Sequence, residues 1–370
     1  MKYYIIAGEA SGDLHAARLI EALHQQDSSA EIRCWGGDLM EQAGATLVKH
    51  YSDLAFMGFW EVVKHLGTIL ENIRFCKQDI TRFHPDIIVY VDYPGFNLRI
   101  AKWAKKQGYK NHYYISPQLW AWKENRIHQM KANLEALYVI LPFEQQYFKE
   151  RHNYSVEYVG HPLLESVAKA KVPKGFLAQH QLDEKRPIVA LLPGSRRQEI
   201  KTMLPLFLAC IPQFPNHQFV IAGAPGIPKP WYQELLENTP CTFVHNETYA
   251  LLQHSAAALV TSGTATLETA LFNVPQVVCY RTSFFSYQIA KRVVQLDAIA
   301  LVNLIMGKHI IEELIQNDCT PAKITSSLEY ILSPQGSTQI KADYALLRKK
   351  LDVGSASTRT AKAIYAATQV

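Results

Sequence analysis

Short apolar runs alternate along this chain with longer stretches whose apolar residues recur at helical spacing, and that alternation predicts its architecture. Runs short enough for buried strands occur at Tyr3–Ala7, Glu31–Trp35, Ile87–Val91, His112–Ile115, Ala136–Leu141 and Val156–Val159. From Ile188 the pattern restarts, with strands expected at Ile188–Leu192, Gln218–Ala222, Cys241–Val244, Ala256–Val260 and Gln276–Cys279. Helical stretches separate these runs, the first from Leu14 to Gln25. Strands alternating with helices imply parallel sheets covered on both faces.

At 370 residues the chain is too long for one ordinary core. The expected division is a Rossmann-like domain over 1–165, a second over 166–345, and a C-terminal segment over 346–370 whose helix, Ser357 to Thr368, is free to fold back on the first domain. The stretch 166–186, less regular and carrying Pro173-Lys174-Gly175, marks the boundary. Two doubly wound domains in tandem put the carboxyl ends of both sheets across one cleft, where open α/β sheets bind ligands.

Composition narrows the class. Hydrophobic residues make up 48% and charged residues 19%, as in globular proteins. A net charge of +5 suits an anionic ligand or a membrane surface and falls well short of a nucleic-acid signature, so no nucleic-acid partner is expected. The six cysteines show no CxxC or Cys/His spacing, which argues for reduced thiols in a cytoplasmic protein rather than a disulfide framework or a zinc site. The run before Glu9 is too short for a signal peptide, and 248–267, though uncharged, is too polar for a membrane span. Any membrane contact is therefore expected to be peripheral.

The strand–turn–helix junctions carry the candidate chemistry. In Ile188–Glu199 (IVALLPGSRRQE), Gly194 and Ser195 break the strand and Arg196 and Arg197 follow. A helix starting there offers unpaired N–H groups to an anion, and an arginine can grip phosphate oxygens as a fork. A plain connection with solvated arginines is the alternative. Ser262, Gly263 and Thr264 open a second such helix, and Glu268 sits one turn along it, placed to accept hydrogen bonds from a ribose. Two helix starts in one half favour a diphosphate-bearing nucleotide between them.

In the first half, Asp92 follows a buried strand and precedes Tyr93-Pro94-Gly95-Phe96-Asn97, a position suited to a general base; capping the next helix is its bland alternative. Glu9, in Gly8-Glu9-Ala10-Ser11-Gly12-Asp13, is a rival base or sugar-hydroxyl acceptor, and Asp13 reads as a helix cap. Trp120 and Trp122 stack on a sugar, meet an acyl chain, or belong to the core. His161 reads as a positioning residue. Phe56, Phe59 and Trp60 open an apolar helical stripe that faces either the core or lipid, and the basic-aromatic run Arg99 to Lys110 lies nearby. No Asp-x-Asp pair occurs, so leaving-group stabilisation is expected from helix dipoles and arginine, with no metal and no cofactor.

In order along the chain, AGEASGD (7–13), DYPGFN (92–97), SPQLWAW (116–122), LPFE (141–144), VGHP (159–162), LPGSRRQEI (192–200), SGTATLE (262–268) and Asn303-Leu304-Ile305 resemble the lipid-A-disaccharide synthase family. The resemblance spans nearly the whole chain. It implies a GT-B glycosyltransferase that moves 2,3-diacylglucosamine from UDP-2,3-diacylglucosamine to the 6-hydroxyl of 2,3-diacylglucosamine 1-phosphate (lipid X), at the cytoplasmic face of the inner membrane. It implies Asp92 as catalytic base, Glu9 as a further active-site acid, Arg196 at the diphosphate, Glu268 at the ribose, and Arg281 and Asn303 lining the UDP pocket. Ser11, Gly12, Asn97, Trp120, Trp122, Phe56, Phe59 and Trp60 remain acceptor or lipid candidates. Members of that family often carry a second Asp where this chain has Gly95, which removes a competing base. The rival readings are a UDP-sugar epimerase on the same architecture and a non-catalytic nucleotide-sugar or lipid-binding protein.

Overall fold

The computed structural model describes every residue except 54–65, 171–172, 225, 237–238, 240, 283–297 and 370. The chain divides into two compact units. One comprises Met1–Pro162 with Asp352–Val370, the other Leu163–Leu351.

In the first unit seven strands form a parallel sheet: β1 Lys2–Ala7, β2 Glu31–Gly36, β3 Thr46–His50, β4 Ile87–Val91, β5 Lys110–Tyr114, β6 Ala136–Val139 and β7 Glu157–Tyr158. Their spatial order is β3-β2-β1-β4-β5-β6-β7. The sequence pattern reads as strand because its alternate side chains enter two different cores. Tyr4 and Ile6 of β1 pack on one face with Ile88 and Tyr90 of β4, whereas Tyr3, Ile5 and Ala7 pack on the other with Ile87, Val89 and Val91. The order reverses between β1 and β4, so the loops leaving those two strands flank a topological switch point. Those loops are Gly8–Glu9 and Asp92–Tyr93, each running directly into a helix.

The helix Ala356–Thr368 belongs to this unit. Ala356, Ala361 and Ile364 enter the same core as Ala16, Leu19 and Leu23 of the helix Ala10–Gln26. Lys110 Nζ donates to the Ala367 carbonyl at 2.9 Å. Lys105 pairs with Glu135, and Trp103 and Tyr109 pack against the core, so the run Arg99 to Lys110 does not present one continuous basic-aromatic face.

In the second unit, six strands repeat the plan: β8 Ile188–Leu192, β9 Gln218–Gly223, β10 Thr242–His245, β11 Ser255–Thr261, β12 Gln276–Tyr280 and β13 Glu313–Ile315, in the order β10-β9-β8-β11-β12-β13. Here the switch point lies between β8 and β11, which lead into Pro193–Arg196 and Ser262–Thr264.

Two features depart from expectation. Strands β3 and β13 lie at sheet edges, are only partly buried, and lack the apolar runs that mark the others. The first helix begins at Ala10 rather than Leu14, so most of the GEASGD stretch is its opening turn rather than a loop. Phe56, Phe59 and Trp60 lie outside the described residues.

Candidate active site

The first-unit cluster is built on constrained backbone. Asp92 and Tyr93 are consecutive non-glycine residues with φ of 45° and 50°, in the left-handed region. Such residues cost roughly 1–3 kcal/mol each and persist only where their surroundings fix them. Here the Asp92 N–H donates to the Tyr114 carbonyl at 3.2 Å, and the Asp92 carbonyl accepts from Asn97 Nδ2 at 2.7 Å and from the Tyr113 hydroxyl. The Tyr93 ring lies against Gly8, where an added Cβ would come within 2.3 Å of it. Glycine at position 8 thus lets the loops from β1 and β4 close on each other.

Asp92 does not cap the following helix; Tyr93 occupies the N-cap position of Pro94–Lys106. The Asp92 carboxyl is instead half-buried and pushed up to about 6, first by burial and then by the negative charge of Glu9. A hydrogen bond from the Tyr93 N–H and the positive charge of Arg126 offset part of this. The result is a carboxylate ionised near neutrality yet more basic than an ordinary aspartate, which suits proton abstraction. Glu9, at the N-cap of Ala10–Gln26, is exposed, as is Ser11. Gly12 is buried against Ala7. Asp13 is a scaffold residue, but for a different helix from its own: its Oδ1 accepts from the Gly37 N–H at 2.7 Å and the Met40 N–H at 3.2 Å at the start of Asp38–Gln42. Gly95 is exposed with open space around a prospective Cβ, so the missing second aspartate leaves no steric trace.

The remaining acceptor candidates separate clearly. Asn97 is fully buried, and its Nδ2 donates to the Asp92 carbonyl and holds the turn, while its Oδ1 is buried without a hydrogen-bond partner among the described residues. Trp120 donates Nε1 to Glu144 Oε1 at 3.2 Å and sits edge-on to Phe143. Glu144 is buried, accepts from the Ile140 and Leu141 N–H groups, and is pushed up to about 7 by that burial. Trp122, by contrast, remains 44% exposed, with Lys123 Nζ and the Arg126 guanidinium over its ring. His161 is buried, and burial pushes its imidazole down to about 3, leaving it neutral at physiological pH.

The second-unit cluster is open by comparison. Arg196 is 73% exposed, with Nη1 3.3 Å from Glu199 Oε1. Glu199 Oε2 accepts from the Ser195 and Arg196 N–H groups at 3.1 and 3.2 Å, and Gly194, at φ +119°, makes room for that carboxylate. Those two backbone donors are therefore engaged internally, and the Arg196 guanidinium is the group presented outward. Across the switch point, Gly263 adopts φ +156° and is exposed with Thr264 at the start of Thr264–Leu271, whose first N–H groups need a partner. Ser262 Oγ donates to the Ile299 carbonyl at 3.2 Å. The Glu268 carboxyl accepts from the Tyr249 hydroxyl at 2.6 Å and is raised by burial.

Arg281 is exposed just beyond β12. Asn303 is buried with its amide saturated: it donates to Ile311 O and Glu313 Oε1 and accepts from the Ile310 and Ile311 N–H groups. Glu313 also accepts from the Ile299 and Ala300 N–H groups, so this pair braces the start of Leu301–Met306. Sequence reasoning missed Tyr113, Arg126, Glu144, Tyr249 and Glu313, each of which acts through a partner distant in sequence. Among the described residues no group of three His, Cys, Asp or Glu side chains could hold a metal ion, and no helix is long and apolar enough to cross a membrane.

A family profile described as lipid-A-disaccharide synthetase matches residues 3–367. A lipid-A-disaccharide synthase from Geobacter sulfurreducens is 35% identical over 364 residues, covering 96% of this chain and 94% of that protein. Among solved structures, a UDP-GlcNAc 2-epimerase from Neisseria meningitidis bound to UDP-GlcNAc superposes with a TM-score of 0.70 at 13% identity, over 99% of this chain and 100% of its own. A glycotransferase of kitacinnamycin superposes at 0.65 and 15%, over 99% and 98%. At those identities the structural likenesses show the fold alone, a GT-B architecture of two Rossmann-like units.

Proposed function

The chain belongs to the lipid-A-disaccharide synthetase family, and we propose that its two loop clusters divide the work of one inverting glycosyl transfer. It is a glycosyltransferase of lipid A biosynthesis acting on a nucleotide-sugar and a lipid-sugar. The donor is UDP-2,3-diacylglucosamine and the acceptor 2,3-diacylglucosamine 1-phosphate. The acceptor's 6-oxygen bonds to the donor's anomeric carbon as the bond from that carbon to the UDP oxygen breaks. The hydroxyl proton passes to the Asp92 carboxylate, and the departing diphosphate is held by Arg196 with the helix start at Gly263–Thr264. Glu268 and Arg281 serve the nucleotide, and Asn303 acts by bracing the segment beside it. Glu9 acts on Asp92 by its charge.

The observation that carries this proposal is the state of Asp92: half-buried, fixed by three backbone-level hydrogen bonds beside the switch point, and raised to about 6. Binding at the cytoplasmic face of the inner membrane is part of the same proposal. In its support the helix Leu66–Phe83 leaves Leu70 and Phe75 exposed. The deciding assay supplies UDP-2,3-diacylglucosamine with the acylated sugar phosphate and analyses for disaccharide and free UDP. Disaccharide in step with UDP is expected. Epimerised sugar from plain UDP-GlcNAc, or binding of both substrates without turnover, would replace the proposal with one of its rivals.

A further inference from the structure

The turn after Trp122 concentrates positive charge beside the proposed base in a way that transfer to a hydroxyl does not itself require. The Lys123 ammonium lies 4.5 Å from the Trp122 ring centroid and the Arg126 guanidinium 5.3 Å, so one exposed indole fixes two cations. Lys123 adopts φ 54°, and the Arg126 N–H closes the turn on the Lys123 carbonyl at 3.1 Å. The carboxylate between them in sequence is drawn away. Glu124 pairs with Arg151, accepts from the Tyr147 hydroxyl at 3.2 Å, and stands 3.2 Å from His152 Nε2. Among the described residues neither Lys123 nor Arg126 forms an ion pair. The turn therefore presents two charges held in place with no ion-pair partner among the described residues. Arg126 is also close enough to act electrostatically on both the Asp92 carboxylate and the Tyr113 hydroxyl.

We propose that Arg126, assisted by Lys123, binds the phosphate of the acceptor and so sets which end of that sugar faces Asp92. The chemistry of the acceptor supports the pairing. In a hexopyranose 1-phosphate the phosphate is on C1 and the 6-hydroxyl on C6, the carbon attached to C5, and C1 and C5 flank the ring oxygen. A group gripping the phosphate must therefore sit within one sugar's width of the base. Guanidinium meets phosphate as a two-pronged donor, and an ammonium adds a second point charge. Binding there would also make the enzyme select a phosphorylated acceptor over its neutral counterpart, because the cations would otherwise be desolvated without a partner.

This inference rests on the acylated sugar phosphate being the acceptor, and the test separates the two. Equilibrium binding of 2,3-diacylglucosamine 1-phosphate and of its dephosphorylated counterpart, both in mixed micelles, is measured on wild type, Arg126→Ala, Arg126→Lys and Lys123→Ala/Arg126→Ala. Disaccharide formation from both acceptors is followed in parallel. Wild type should prefer the phosphorylated compound, and Arg126→Ala should weaken it by about 10- to 100-fold while leaving the neutral compound unchanged. Arg126→Lys should fall between them, and the double variant should erase the preference. KM for the UDP-sugar should not move. If wild type binds with that preference yet forms no disaccharide, the phosphate site stands and the glycosyl-transfer reading fails. If the preference survives in the double variant, or both compounds weaken equally, the phosphate site is overturned whatever the activity.

Discussion

The two switch points build opposite environments on the same topology. At β1 and β4 the loops are tight, partly buried and held in left-handed backbone, and they enclose a carboxylate whose proton affinity has been raised. At β8 and β11 the loops are exposed, an arginine stands in solvent, and a helix start carries a glycine instead of a capping side chain. The contrast matches what the proposed chemistry asks of each cluster. A base needs desolvation and fixed direction, which only a packed environment gives. A diphosphate arrives with its own charge and needs accessible donors that lose little on meeting it.

Breaking the first cluster should cost most. Asp92→Asn is expected to lower kcat by about two to four orders of magnitude while Kd for UDP stays within twofold, measured by steady-state assay and calorimetry. Near-normal turnover would remove Asp92 from the mechanism. Breaking the second should act on binding: Arg196→Ala is expected to weaken UDP by about 10- to 100-fold and to lower kcat/KM at least as much. Unchanged UDP affinity would transfer the diphosphate to other groups.

Two finer measurements sharpen the contrast. Because a base must be ionised, kcat/KM should fall about tenfold per pH unit below pH 6, the limb set by Asp92, and this limb should vanish in the residual activity of Asp92→Asn. The same raised value has a stability consequence of opposite direction. A folded-state value above the unfolded one contributes stability below about pH 4 that is lost as pH rises through about 6. Asp92→Asn should therefore unfold later than wild type at pH 7, by roughly 1–3 kcal/mol, and show no gain at pH 4. Equal shifts in denaturant midpoint at both pH values would mean that burial of the charge is not the cause.

Much of the fold was legible because β1, β4, β8 and β11 are buried along most of their length and so largely apolar. Edge strands β3 and β13 were not, since half-exposed positions tolerate polar residues such as Lys49 and Glu313. In the candidate site, the positions of Asp92, Arg196 and Gly263 just beyond a buried run were legible. The partners that tune them were not. Tyr113, Arg126, Glu144 and Tyr249 lie 19 to 34 residues from what they serve and meet it only through the fold. Asn303 shows the converse: a polar residue in a recognisable segment whose amide turns inward to hold backbone.

The helix Ala356–Thr368 closes the core of a unit whose other residues were translated some two hundred positions earlier. Until that helix docks, the flank of Ala10–Gln26 is uncovered, whereas the Leu163–Leu351 unit already holds all of its own elements. Released chains truncated before residue 356 should thus display a complete Leu163–Leu351 unit beside an incompletely covered β1–β7 unit. Fusions or tags that hinder docking of this helix would injure catalysis at Asp92 without touching either switch-point loop.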